Sequence, residues 1–85
     1  MITQDQLKDV LDRADSLHRY LDIDRKKIEY EEEDLRTQAP DFWDDPERAQ
    51  KQMKLVKDIK KWLDGYAEVR TAADELQLAF DFYKD

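Results

Sequence analysis

The stretch that decides the fold is QAPDFWDDPERAQ, residues 38–50. Pro40 disfavours helical geometry at Ala39, because the proline ring clashes with a helical residue placed before it. Asp45 and Pro46 then predict a new helix, with the aspartate as N-cap and the proline at the first helical position. The connection of about six residues is short enough to join two neighbouring, antiparallel helices.

Phe42 and Trp43 stand side by side inside this predicted connection, in an otherwise polar stretch. We expect both rings to cover the end of the apolar core where the chain turns back, since large aromatic side chains gain most from burial. With Asp45 and Pro46 they form the predicted structural corner of the fold.

Before the bend, apolar residues recur every seven positions, which predicts a helix over about 4–37 that packs through one apolar stripe. The stripe consists of Leu7, Ala14, Leu21, Ile28 and Leu35, with Val10 and Leu17 between the first members. Asp24 and Glu31 take the intermediate position later, and Asp22 is a candidate N-cap. Two readings therefore stay open: one helix that is weak near 21–24, or two helices that meet there.

After the bend, apolar residues step by three or four and predict a second helix from Pro46 to about residue 82. They are Val56, Ile59, Leu63, Tyr66, Val69, Ala73, Leu76, Phe80 and Tyr83. Gly65 costs this helix about 1 kcal/mol without breaking it. The sequence thus predicts an all-α fold, an antiparallel helical hairpin with coiled-coil-like packing. It forms one domain over residues 1–85, with the loop at 38–45.

A second apolar row lies beside the main one on the second helix, at Leu55, Trp62, Val69 and Phe82. A two-helix fold cannot cover both rows, so this row is a candidate partner surface. A third helix, another domain or a second copy of the chain would fit it. For the isolated chain we expect self-association through this helix.

Composition disfavours several classes of protein. The 85 residues include no cysteine, which excludes disulfides and thiolate metal sites, and the formal net charge of −7 disfavours autonomous DNA binding. No apolar run approaches the roughly 20 residues that span a bilayer, and the first residues lack the features of a signal peptide. We expect a cytoplasmic protein with neither a membrane nor DNA as partner.

No residue pattern predicts catalysis, a metal or a cofactor. His18 is the only histidine, and without cysteine it forms neither a zinc site nor a nucleophilic dyad. Gly65 is the only glycine, so a phosphate-binding Gly-rich loop is absent from the sequence. The acidic run EYEEEDL at 29–35 is typical of a solvated helix face, and folding back would place it against Lys51 and Lys54. We therefore expect a non-enzymatic protein.

Residues 13–59 resemble the N-terminal helical domain of bacterial peptide chain release factor 2. The resemblance rests on RYLDIDRKK at 19–27, on PDFWDDPERAQ at 40–50, and on an acidic helix before the bend and a lysine-rich helix after it. The middle segment is the most specific, because it is not a generic helix connector. The similarity covers nearly the whole chain and is looser beyond about Leu63.

The resemblance implies a non-catalytic part in translation termination, namely docking and positioning on the ribosome near the base of its stalk. The codon-reading Ser-Pro-Phe and the hydrolytic Gly-Gly-Gln motifs of that family do not occur in this sequence. The ribosome and the remaining domains of the same factor are the implied partners. An alternative from another class is a stand-alone helical adaptor or oligomerisation module.

Overall fold

The computed structural model describes residues 2–84, without the side chain of Lys84. It contains three α-helices, α1 (Gln4–Tyr20), α2 (Ile23–Arg36) and α3 (Pro46–Lys84), and a 3₁₀ turn at Phe42–Asp44 in the connection between α2 and α3. No strand occurs between residues 2 and 84, so the all-α prediction is confirmed for this part of the chain. The ends of the predicted domain, Met1 and Asp85, lie outside the described residues.

A reciprocal pair of hydrogen bonds fixes the start of α1. The Gln6 backbone N–H donates to Thr3 Oγ1 at 3.2 Å, and the Thr3 backbone N–H donates to Gln6 Oε1 at 2.9 Å. This arrangement is a capping box, which satisfies two backbone donors that a helix start leaves without partners. The first turn of α1 is therefore stabilised by hydrogen bonds within the turn itself, without a tertiary contact.

The chain interrupts its first helical segment at Leu21 and Asp22, so the second of the two open readings describes the structure. Asp22 has φ 52° and ψ 55°, the left-handed conformation, and is the N-cap of α2 without a side-chain capping bond. Aspartate tolerates this conformation better than most residues, because its short side chain bonds locally. The Lys26 N–H donates to the Asp22 carbonyl at 3.0 Å and begins α2.

This interruption overturns the stripe predicted for residues 28 and 35. Ile28 is 57% exposed and Leu35 is 66% exposed. In α2 the packed face instead contains buried Ile23 and half-buried Tyr30 and Glu33. The cause is the left-handed residue at position 22, which shifts the helical phase, so that the inward positions of α2 no longer continue the heptads of α1.

Three contacts between distant residues order α1 and α2 along α3. Asp15 lies against Arg70, the His18 ring against Tyr66, and Glu33 against Gln52. Residue numbers fall along α3 as they rise along α1 and α2, so α3 runs in the opposite direction and contacts both. The resulting molecule measures 60 × 21 × 16 Å.

The core is a thin line of side chains between α3 and its two neighbours. Its buried apolar members are Leu7, Ala14, Ile23, Ala49, Val56, Ile59 and Ala73. Three of the seven are alanines, and no polar side chain is buried among the described residues. Because small side chains bury little apolar area, each large core residue carries much of the packing free energy.

The predicted charge pairing between the acidic run and the lysines is wrong in its partners. Lys51 pairs with Glu47 of its own helix at 3.8 Å, and Lys54 is in none of the ion pairs between described side chains. Glu33 instead accepts a hydrogen bond from Gln52 Nε2, which reaches both its carbonyl oxygen at 2.9 Å and its carboxylate at 2.7 Å. The shifted phase of α2 turns most of the acidic run to solvent.

Candidate functional site

Asp45 and Pro46 begin α3 at the closed end of the molecule. Asp45 Oδ1 accepts a hydrogen bond from the Arg48 N–H at 3.2 Å, and the Asp45 carbonyl accepts one from the Ala49 N–H at 2.9 Å. Pro46 is the first helical residue, where its missing N–H costs no bond. The local sequence therefore fixes the residue at which α3 begins.

The two aromatic residues of the corner behave differently, which corrects the prediction that both are covered. Phe42 is half-buried, whereas Trp43 is 60% exposed. Their rings meet edge to face, with centroids 5.2 Å apart and an interplanar angle of 80°. Both lie in a 3₁₀ turn, in which successive side chains point about 120° apart, so only one of the two can face α3.

Phe42 is one wall of a shallow cavity of about 390 Å³ at the bend. Arg36 and Arg48 line it together with Asp41, Asp44, Asp45 and Gln52, and its apolar floor comes from Ala39 and Ala49. Three aspartates and two arginines line it, and no described side-chain polar atom is buried without a partner. The cavity thus has no preference for a ligand of one charge.

A polar cluster joins α1 to α3 near the middle of the molecule. Arg70 Nη1 donates to Asp15 Oδ1 at 2.8 Å, and Arg70 Nη2 lies 3.1 Å from Asp74 Oδ1. The hydrogen bond to Asp15 and the negative charge of Asp74 raise the pKa of Arg70. Both contacts favour the cationic guanidinium, and the cluster is a structural clamp between α1 and α3.

His18 lies beside this clamp and makes two contacts. Its ring meets Tyr66 edge to face at a centroid distance of 5.2 Å, and its Nε2 is 3.4 Å from Asp24 Oδ1. Within residues 2–84 no group of three or more histidine, cysteine, aspartate or glutamate side chains is arranged to hold a metal ion. The contacts of His18 are those of a half-buried residue at a helix junction.

The predicted partner surface is exposed along α3. Leu55, Trp62 and Val69 are each at least two-fifths exposed, Trp62 reaching 56%, and Phe82 lies further along the helix with most of its ring in solvent. The first three are spaced by seven residues and share one face. Phe82 is out of that spacing and packs edge to face on Tyr83.

A basic face lies on α3 close to the bend. Lys57 and Lys60 line an open depression together with Met53 and Val56 of α3 and Asp34 and Thr37 of the preceding segment. No described ion pair includes Lys57 or Lys60. Lys57 lies within one turn of both Lys54 and Lys61, and Lys60 lies further round the helix, so the lysines of α3 form one broad basic face.

No protein-family model matches the chain, and no solved structure matches it. None of the helices within residues 2–84 is apolar and long enough to cross a membrane.

Sequence reasoning missed the clamp at Arg70 and the bridge from Gln52 to Glu33. A signal for both was available, because folding the chain about the bend at residues 38–45 brings 15 close to 70 and 33 close to 52. The prediction considered pairing between blocks of opposite charge. It did not consider single long side chains at positions that face each other across the helix pair. Arginine and glutamine reach across a helix pair, since their donors lie at the ends of long stems.

Proposed function

We propose that this chain is the N-terminal helical domain of a translation termination factor of the release factor 2 type. It folds as an antiparallel helical hairpin with coiled-coil-like packing and acts without catalysis, by docking on the ribosome and positioning the rest of the factor. The bend would be the docking end. It follows that the chain works through surface contact alone.

The two segments that resemble release factor 2 most closely lie at the two irregular points of the chain. RYLDIDRKK spans the interruption between α1 and α2, and PDFWDDPERAQ spans the bend. Regular helices match many unrelated helices by composition, whereas a left-handed residue and a capped 3₁₀ bend need particular residues. The resemblance therefore falls where the sequence is most constrained by geometry.

The exposure of Trp43 is the observation that supports docking most strongly. A tryptophan that is 60% exposed in a loop contributes little to the core, and tryptophan is enriched among residues that dominate binding interfaces. Lys57 and Lys60 lie nearby on α3 and would add contacts to ribosomal RNA phosphates, which a chain of net charge −7 otherwise disfavours.

Cosedimentation with purified bacterial ribosomes at low salt tests this proposal. The chain should pellet with the ribosomes and be displaced by full-length release factor 2. Lys57→Glu/Lys60→Glu and Trp43→Ala should each reduce the bound fraction. At concentrations at which the chain is monomeric, the same chemical changes elsewhere on α3, Lys54→Glu/Lys61→Glu and Trp62→Ala, should reduce it less.

An empty pellet at low salt would contradict docking by this domain, and equal losses for the two double variants would contradict the assignment to the bend. Coding sequence that continues beyond residue 85 into Ser-Pro-Phe and Gly-Gly-Gln motifs would support the release-factor reading independently of any binding assay.

A second candidate, a stand-alone helical adaptor or oligomerisation module, is favoured by the exposed row of Leu55, Trp62 and Val69. A domain that only docks through its bend does not need this row. An isolated chain that self-associates and fails to compete with release factor 2 on ribosomes would favour the adaptor.

A further inference from the structure

The exposed row on α3 belongs to a longer stripe with heptad spacing, in which it supplies every second position. Leu55, Trp62 and Val69 alternate with Asp58, Gly65 and Ala72 at steps of three and four, and all six are exposed. This is the spacing of a helix that packs on another helix. Ile59, Tyr66 and Ala73, which pack towards α1 and α2, lie about 70° around the helix from the centre of the stripe, so the stripe is exposed beside the packed face.

Gly65 lies at the centre of this stripe, and nothing in the chain itself explains a glycine there. A Cβ atom added to Gly65 would meet nothing within 4 Å. Glycine in an exposed helix interior is destabilising, yet it allows a second helix or a large side chain to approach closely. Gly65 and Ala72 therefore leave two recesses beside the bulky Trp62 and Val69.

We propose that this stripe binds a second copy of the chain, with the two α3 helices packed antiparallel about a two-fold axis near residues 63 and 64. In this register Trp62 faces the partner's Gly65, and Leu55 faces the partner's Ala72. The two-fold symmetry repeats both contacts, so each large side chain fills the recess left by a small one. This inference concerns a surface separate from the bend and does not depend on ribosome docking.

The charge distribution along α3 selects a second copy in the antiparallel direction. Residues 51–61 contain five lysines and one aspartate, whereas residues 64–81 contain five acidic residues and one arginine. A parallel pair would place like charges together along its whole length. An antiparallel pair places the basic half of each α3 against the acidic half of the other, which is complementary from end to end.

The charged row at the edge of the stripe gives the same register. Lys54, Lys61 and Glu68 directly precede Leu55, Trp62 and Val69, and Glu75 continues their seven-residue spacing. None of the four belongs to an ion pair among the described side chains. With Trp62 facing the partner's Gly65, the edge residue nearest to Lys61 is the partner's Glu68, two positions from direct opposition, and Lys54 is likewise nearest to the partner's Glu75. Steric fit and charge therefore agree on one alignment, although they rest on different residues.

Asp58 is the one polar member of the stripe and faces the partner's Val69 in this register. A single polar residue at such a position lowers the stability of a helix pair and can restrict it to one alignment. Asp58 lies near the edge of the paired region, where its carboxylate keeps access to water. We therefore expect a reversible dimer.

Sedimentation equilibrium over a concentration series tests the proposal through charge exchange. The wild-type chain should dimerise, while Lys54→Glu/Lys61→Glu and Glu68→Lys/Glu75→Lys should each raise the dimer dissociation constant by about tenfold or more. An equimolar mixture of the two double variants should dimerise again, because every edge pair is then complementary. Circular dichroism of each variant at low concentration checks that its helix content is unchanged.

Disulfide formation tests direction and register separately, since the chain has no cysteine of its own. Asp58→Cys mixed with Val69→Cys should give a mixed disulfide, whereas Asp58→Cys alone should not self-link, because its two copies lie about 16 Å apart in this register. A wild-type chain that stays monomeric up to about 1 mM overturns the proposal, as does a mixture that fails to restore dimerisation. Preferential self-linking of Asp58→Cys overturns the antiparallel direction.

Discussion

Phe42 and Trp43 show that neighbouring residues of similar chemistry can have opposite roles. The sequence indicates that both belong to the bend, but it does not contain the turn geometry that sends one ring towards α3 and the other to solvent. Asp45 and Pro46 are different, because their preferences are local and act through their own backbone bonds. Residues whose role is set within one turn of chain were therefore predictable, and those set by the packing of the bend were not.

Substitution of the two rings should separate their roles. Trp43→Ala should lower the free energy of unfolding by about 1 kcal/mol or less, and Phe42→Ala by about 2 kcal/mol, because only the second removes buried apolar surface. Urea denaturation followed by circular dichroism measures both. A loss of 3 kcal/mol or more on Trp43→Ala, roughly the cost of truncating a buried ring, would contradict the exposed position.

Gly65 permits a sharp test at the same scale. In dilute solution, where the chain is monomeric, Gly65→Ala should raise the free energy of unfolding by about 0.5–1 kcal/mol, because a Cβ meets no neighbour and alanine favours the helix. Ala67→Gly, two residues along the exposed surface of α3, should lower it by a similar amount. A destabilising Gly65→Ala would show a close contact at this position inside the single chain.

At the scale of helices, one left-handed residue decides which side chains form the core. The heptads of residues 7–21 continue in the sequence through Ile28 and Leu35, and pattern alone extends the stripe across both. Asp22 shifts the helical phase instead, so that Ile23 and Tyr30 pack while Ile28 and Leu35 are exposed. The position of the interruption was predictable from polar residues near 21–24, but its effect on phase depends on a backbone angle that no residue pattern specifies.

Substitutions at Asp22 test this interruption. Asp22→Val should lower the free energy of unfolding by about 1–2 kcal/mol, because a β-branched residue is strongly disfavoured at positive φ, whereas Asp22→Gly should be neutral or stabilising. Arg25→Val, an exposed control inside α2, should cost at most about 0.5 kcal/mol. If residue 22 instead lay inside an uninterrupted helix, Asp22→Gly would lower the free energy of unfolding more than Asp22→Val. That result would contradict the interruption.

Over the whole molecule, two faces of α3 remain exposed after α1 and α2 have packed, namely the apolar row and the basic face near the bend. The prediction of an uncovered row at Leu55, Trp62 and Val69 needed only the width of the apolar face, and the structure leaves these three residues exposed. The pairing of lysines with glutamates between two copies could not be predicted from the sequence, because the packed residues define which lysines lie at the edge of the row. Lys54 and Lys61 lie at that edge, whereas Lys57 and Lys60 line the depression near the bend.

Solution scattering should detect the antiparallel dimer by its shape. The two-fold axis near residues 63 and 64 lies close to the midpoint of α3, so two copies overlap almost completely. The scattering mass should double with concentration, while the longest dimension changes from its monomer value by only about 5 Å. A longest dimension that grows by half or more on association would indicate end-to-end contact and contradict the alignment.

The central structural claim is that α1 and α2 fold back along α3, and a distance between two spin labels tests it most directly. Labelled cysteines at positions 8 and 78, with excess unlabelled chain to suppress signals between copies, should lie within about 25 Å of each other, since neighbouring helices pack 8–10 Å apart. The control pair at 8 and 50 should lie about 40 Å apart along the same bundle. A distance for the first pair longer than that for the control would contradict the fold, because a chain extended through the bend separates positions 8 and 78 by about 100 Å.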